Sequence, residues 1–231
     1  MKTKIIEFAT DKEFINLPKP AKSYIPEWFK KAERFVGGKP FINNSEKGGK
    51  TIKLCTPFLD TFTSGYIAEL WQDVLVSKTS DGIHIDWNIN ELNVADVRNT
   101  NQAQGMPIPN EYDEQHFIWK FPFCFKTPPG YSVLVTHPFN RLDLPFTTLT
   151  GIIDADDVIS TGNLPFLMKK NFEGIIPAGT PIAQFLPFKR EDWKTKESKE
   201  LILLGNKEAF FAARVLFGYY KNSIWKKKNY N

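Results

Sequence analysis

The sequence predicts a mainly β fold with an N-terminal arm and a C-terminal α-helix, and three observations predict it. Aromatic residues are abundant (Phe 20, Tyr 7, Trp 6) and Pro, at 16, is frequent, a composition that suits short strands punctuated by turns. From residue 51 onward short apolar or alternating runs succeed one another, separated by turn signals such as Ser80-Asp81-Gly82 and Pro128-Pro129-Gly130. Near the C-terminus the period changes: Ala209, Ala213, Leu216 and Tyr220 recur at spacings of four, three and four, one face of a helix.

Taken in order, residues 1–50 are rich in Pro, Lys and Gly and predict an arm. Within it Pro26 suits the first turn of a short helix over Glu27, Trp28, Phe29, Lys30 and Lys31, packed by Trp28 and Phe29. Residues 43–50, with Gly48-Gly49, predict an exposed loop. Strands are expected over 51–55, 64–77, 84–88, 116–125, 131–136, 151–153, 164–168 and 182–187, and the polar stretch 90–113 reads as an excursion over the surface. Asn206 is placed to cap a helix running to about residue 227, burying Phe210, Leu216 and Phe217 and exposing Lys226, Lys227 and Lys228. The expected organisation is an arm over 1–50, a β domain over 51–200, and a helix with a basic tail over 201–231, together one globular domain.

Composition sets the outer limits. The 231 residues, 42% of them hydrophobic, suffice for a sizeable core. No apolar run approaches the roughly 20 residues that span a bilayer, and the first residues lack the apolar core of a signal peptide. The expectation is a protein that is not secreted by a signal peptide, has no membrane partner, and stays in the cytoplasm of the producing cell or, if phage-derived, in the virion. Cys55 and Cys124 each lie in an apolar, strand-like stretch, which predicts buried thiols and argues against a disulfide framework or thiolate metal cage. The formal charge of +4 is mild, and its basic tail reads as a solvated terminus.

Four segments carry a resemblance. They are Ser64-Gly65-Tyr66-Ile67-Ala68-Glu69-Leu70 with Asp73-Val74; Pro129-Gly130-Tyr131 through His137-Pro138-Phe139-Asn140-Arg141-Leu142; Thr150-Gly151-Ile152-Ile153-Asp154-Ala155-Asp156; and Ile176-Pro177-Ala178-Gly179-Thr180-Pro181-Ile182-Ala183-Gln184-Phe185. In order and approximate spacing they resemble the sequence motifs of dUTPases and the related dCTP deaminases, over roughly residues 60–190. The resemblance implies a dUTPase-like β-clip, with a hairpin between Asp154 and Gly179. It also implies a homo-oligomer, a trimer by preference, with sites between subunits. A group of phage-encoded proteins on the same scaffold, to which no activity is attached, is similar as well. Independently of any family, Gly65, Gly130, Gly151 and Gly179 are placed where strands turn sharply or another backbone comes close.

The resemblance marks Tyr66, Asn140, Arg141, Asp154, Asp156 and Gln184 as candidate ligand-binding residues, for a nucleotide or other small anion, with Asp154 the catalytic residue if the chain is an enzyme and Mg2+ its cofactor. The chain departs from the pattern at several points. Ile67 stands where the family has a carboxylate, and an apolar side chain binds no Mg2+. Phe139-Asn140-Arg141 replaces an Arg-Ser pattern, although Asn140 and Arg141 retain groups that hold an anion. Asp157 replaces an expected Tyr, so that Asp154, Asp156 and Asp157 crowd three carboxylates together. The strand at 164–168 has no Glu to serve as the base of a deaminase, and the C-terminus has no Gly-rich lid. Asp154 is expected either to accept backbone N–H bonds or to pair with Arg141 where the second and third motifs meet.

Other chemistries compete for the same residues. His84 and Asp86, two apart on one strand face, with His137, imitate the facial triad of a non-haem iron site, a pattern that any alternating strand meets by chance. The stripe Trp119, Phe121, Phe123 and Phe125 suits base stacking or, more commonly, a core face, and His116 suits a core or rim position. The reading that results is a non-catalytic binding or structural protein, phage-associated and homo-oligomeric. Its alternatives are a divergent nucleotide-processing enzyme using Asp154 and Arg141, and a virion component in contact with other virion proteins.

Overall fold

Along residues 112–126 every second side chain from Phe117 to Phe125 is apolar and turned inward, and this one long strand organises the rest. The structure, a computed structural model, describes residues 3–40, 49–88, 91–157, 159, 161–214 and 218–231. It contains strands β1 (Glu7–Ala9) and β2 (Lys19–Pro20), helices α1 (Glu27–Lys31) and α2 (Thr56–Thr63), then strands β3 (Tyr66–Glu69), β4 (Val74–Thr79), β5 (Gly82–Asp86) and β6 (Ala95–Val97). These are followed by β7 (Tyr112–Lys126), β8 (Tyr131–Thr136), β9 (Phe146–Thr148), β10 (Gly151–Ile153), β11 (Thr161–Lys169), β12 (Gly174–Ile176), β13 (Pro181–Lys189) and helix α3 (Glu200–Arg214). The fold is mainly β with a C-terminal helix, as the sequence predicts.

The chain divides into two compact units. The first comprises residues 1–25, 62–190 and 230–231 and holds all the strands; the second comprises 26–61 and 191–229 and holds α1, α3 and most of α2. In the first unit the strands form three antiparallel sheets, in the orders β1-β7-β11-β9 with β6 also on β7, β10-β8-β13-β3-β2, and β12-β4-β5. β11 pairs with β7 and β9, and β12 with β4, so the hairpin expected between Asp154 and Gly179 does not form.

The core lies on the inward face of β7. Trp119 stacks on Phe166 with ring centroids 3.7 Å apart, and Phe121, Phe123 and Phe125 pack around Phe185. The aromatic stripe is therefore core. The one polar atom that Trp119 brings inside is satisfied: its indole N–H donates to Thr148 Oγ1 at 3.1 Å, and that hydroxyl donates to Ile182 O at 2.6 Å. His116 is also buried, and burial pushes its imidazole below the ordinary value, helped by the charge of Arg98.

Several local expectations are corrected. Residues 51–55 form a 3-10 turn rather than a strand, because the Thr51 hydroxyl accepts from Lys53 N–H and Pro57 favours the first turn of α2. Residues 64–77 break into β3 and β4. α1 forms after Pro26 and buries Phe29, but Trp28 is exposed. Only residues 49 and 50 of the expected 43–50 loop are described, and Lys50 pairs there with Phe35. The stretch 90–113 contributes β6 to the sheet in addition to surface turns.

The C-terminal helix is shifted. α3 starts at Glu200, so Asn206 lies inside it and not at its cap, and Phe210 is 51% exposed. Gly218, with φ 77°, breaks the path, and a five-residue π-helical turn follows at Tyr220–Ile224, so the periodicity read across 206–227 does not fall on one helix. Leu216 and Phe217 lie outside the described residues; Lys226, Lys227 and Lys228 are exposed. Cys55 and Cys124 are half-buried free thiols. Cys124 takes the outward phase of β7, opposite in direction to Phe123 and Phe125, and its thiol donates to Ala9 O of the neighbouring β1 at 3.6 Å.

Candidate functional site

Strand register brings the carboxylates of the third motif to one end of the second sheet. β8 lies between β10 and β13, with Ile153 opposite Val133 and Phe188 opposite Ser132. The ladder continues past β13, where Arg190 N–H donates to Gly130 O at 2.9 Å. Asp154, just beyond β10, Ser132 on β8 and Arg190, just beyond β13, are thereby gathered at the same end. Gly130 makes the approach possible: its φ of 82° lies in the left-handed region, and its N–H donates to Asp156 Oδ2 at 2.8 Å.

Asp156 is the centre of this group. Arg190 grips it with both guanidinium nitrogens, Nη1 to Oδ1 at 2.8 Å and Nη2 to Oδ2 at 2.5 Å, and its side chain is 5% exposed. The Arg190 hydrogen bonds, with the Gly130 N–H, hold the Asp156 carboxyl well below the usual carboxylate range. Asp156, followed by Asp154 and Asp157, in turn holds the guanidinium above its ordinary value. The repulsion expected among the three carboxylates is thus met by a cation that the sequence reading did not single out. Asp154 itself is 62% exposed; it accepts from the Ser132 hydroxyl at 2.5 Å and lies 3.4 Å from Arg190 Nη1.

Arg141 is elsewhere. It forks onto Asp143, Nε to Oδ1 and Nη2 to Oδ2 both at 2.8 Å, and not onto Asp154. The expected Arg141–Asp154 pair is corrected: the turn after β8 supplies Arg141 with a carboxylate two residues away. Partial burial pushes Asp143 up, but the Arg141 guanidinium outweighs it and leaves the carboxyl below the usual range. Asn140, with φ 58°, makes the turn in the left-handed conformation that Asn tolerates.

Gln184 is 1% exposed. Its carbonyl oxygen accepts from Phe139 N–H at 2.9 Å and its amide donates to Ser64 O at 2.6 Å, so it clamps the second-motif turn to the first. Beside it Gly65 is obligatory, because a Cβ there would fall 2.1 Å from Phe185 O. Gly151 carries no such demand, since a Cβ would meet only Leu164 Cδ1 at 3.9 Å. Ile67, Arg141 and Gln184 do meet, around a void of about 10 Å3, room for about one water. Tyr66 lies on β3 with its ring edge-on to Tyr230, 5.9 Å between centroids, and burial raises its hydroxyl above the ordinary value.

The iron-type triad is not assembled. His137 is spent on the fold: Nδ1 accepts from Thr148 N–H at 3.2 Å, which fixes the proton on Nε2, and Nε2–H donates to Arg141 O at 3.0 Å. Burial keeps its imidazole below the ordinary value despite that carbonyl. His84 and Asp86 are exposed on β5, and no group of three His, Cys, Asp or Glu able to hold a metal occurs among the described residues. Nor do the residues fit a Mg2+ ion at the first-motif position, where Ile67 is 3% exposed in the core, while Asp156 is occupied by Arg190. Asp73, which follows that motif, accepts from Ala178 N–H at 2.7 Å and braces the turn before β13.

No family model matches the chain, and no curated protein sequence matches it. Among solved structures it is similar to phage dUTPases. One is a variant of the dUTPase from phage phi11 of S. aureus that coordinates a structural Mg(II) ion, 13% identical over 84% of this chain and 97% of that chain, with a TM-score of 0.38. Another is a variant of the Staphylococcus bacteriophage 80alpha dUTPase with dUpNHpp, 13% identical over 85% of this chain and 98% of that chain, with a TM-score of 0.37.

Proposed function

We propose that this chain is a non-catalytic β-scaffold protein that works by binding or by building, as a homo-oligomer. One observation carries the reading: the two arginines of the motif region are each spent on an internal carboxylate, Arg190 on Asp156 and Arg141 on Asp143, each through a two-pronged fork. An arginine tied to an internal carboxylate must break that pair before it holds a phosphate, and at Asp156 the carboxylate left behind is sheltered from water. Self-association draws support from Leu75 and Ile175, directly opposed on β4 and β12 and both exposed.

A second reading, a divergent nucleotide-processing enzyme, rests on one specific feature. Asp154 presents a carboxylate to solvent, oriented by the Ser132 hydroxyl, within reach of a water that it could activate as a general base. A panel of nucleoside mono-, di- and triphosphates with and without Mg2+, read by thermal shift, tests the choice. A nucleotide at 100 times its dissociation constant stabilises the protein by roughly 2.7 kcal/mol. The first reading expects no nucleotide to shift the unfolding midpoint in a way that Asp154→Asn abolishes; such a shift overturns it.

A further inference from the structure

The second unit carries a pocket of about 700 Å3, half open to solvent, that the proposed function does not use. One wall is a two-stranded stub. Phe35 pairs with Lys50, Thr51 N–H donates to Arg34 O at 3.1 Å and Val36 N–H to Gly49 O at 2.9 Å, which holds Arg34, Phe35 and Lys50 in place. Another wall is the segment carrying Tyr219, Tyr220 and Lys221. It is held at one end by the left-handed turn of Gly218, closed by Asn222 N–H on Gly218 O at 2.8 Å. At the other end the Trp225 indole N–H donates to both oxygens of Asp60, at 3.0 and 2.9 Å, and Lys228 joins the same carboxylate at 2.5 Å. The Tyr219 hydroxyl donates to Glu208 on α3.

The chemistry of these walls is one-sided. Three cations and three aromatic rings line the space, and no carboxylate does among the described residues. Neither Arg34 nor Lys221 has an acidic side chain within ion-pair distance among the described residues. A volume of this size falls within the range of small-molecule sites, roughly 300 to 1,000 Å3, and such sites combine apolar walls with a few placed polar groups. Aromatic walls favour a ligand with an apolar body, and Arg34 and Lys221 in the lining favour an anionic head. The geometry points to a binding site in this cavity for an organic anion: an apolar body, aromatic or alkyl, carrying a single carboxylate or sulfonate.

Cys55 lies in the lining and reports on occupancy. In a Cys124→Ala protein it is the sole thiol, and its alkylation by neutral iodoacetamide is followed alone, with 1-anilinonaphthalene-8-sulfonate, and with dodecanoate. The expected result is saturable binding of at least one probe and alkylation slowed about ten-fold or more at saturation. Joint Arg34→Glu and Lys221→Glu substitution should weaken binding about ten-fold or more, while Lys226→Glu, outside the lining, leaves it unchanged. Protection by the naphthalene sulfonate alone identifies an aromatic body, and by dodecanoate alone an alkyl one. Unchanged alkylation with both probes at saturating concentration overturns the proposal, as does unchanged affinity in a double variant whose circular dichroism matches the parent. Should the double variant not fold, protection of Cys55 decides alone.

Discussion

The Arg190–Asp156 and Arg141–Asp143 pairs are both two-pronged forks, end-on through Nη1 and Nη2 in the first and side-on through Nε and Nη2 in the second, yet they are built inside out from one another. In the first the carboxylate is hidden, 5% exposed against 39% for its arginine; in the second the guanidinium is the more sheltered, 15% against 44% for its aspartate. The cost of breaking an ion pair falls mainly on the member left behind in a dry place. The two pairs therefore depend on opposite partners: the first on its arginine, the second on its aspartate.

That difference ranks the substitutions. Arg190→Ala should have the largest effect, since Asp156 would lose its cation and keep backbone N–H donors, Gly130's among them; urea unfolding should show a clear drop in midpoint, larger than for any single change at the other pair. Equal midpoints for Arg190→Ala and Arg141→Ala would erase the distinction. Asp143→Ala should cost about 1 kcal/mol, because it strips a half-sheltered guanidinium of its acceptor. Arg141→Ala leaves behind an aspartate already open to water and should cost no more than about 0.5 kcal/mol.

Acidity probes the same contrast. The Asp156 carboxyl is depressed in the folded state, so its contribution is complete above the unfolded carboxylate value, about pH 3.9, and is lost as pH falls below it. His116 and His137 are also depressed by burial, which makes their contribution complete above about pH 6.5 and progressively lost as pH falls through that value. Two separate declines in unfolding midpoint should appear on acidification. Arg190→Ala should blunt only the lower one and His137→Asn only the upper; a His137→Asn profile that superimposes on the parent between pH 7 and 5 would remove His137 from the account.

What the sequence disclosed follows from the range of the interaction responsible. β8 was legible to the residue because alternation and a glycine-bounded turn are local signals, as was the break at Pro26 that starts α1, and β10, only three residues long, was legible because Gly151 and an Ile pair mark it within its motif. β6, β9 and β12, of three residues each, are too short to show a period, and they exist because longer neighbours offer them an edge. Residues 51–55 misled for a different reason: a Thr cap and Pro57 outweigh a strand-like composition. In the site, Asp154 and Asp156 were legible from their motif, but Arg190 was not. Its partner is set by the register of β13 against β8, more than thirty residues away from the aspartates along the chain. The only local hint was a cation ending an apolar strand at Phe188-Lys189-Arg190, and many strands end so.

The central claim is that the charged residues of the motif region hold the fold together and do no chemistry. Its most direct test is hydrolysis of dUTP by the purified protein with Mg2+ present, measured beside Asp154→Asn under the same conditions. The account predicts equal rates for the two proteins, both indistinguishable from the reaction without protein. Turnover near 1 s⁻¹, the low end for ordinary enzymes, that disappears in Asp154→Asn would contradict it.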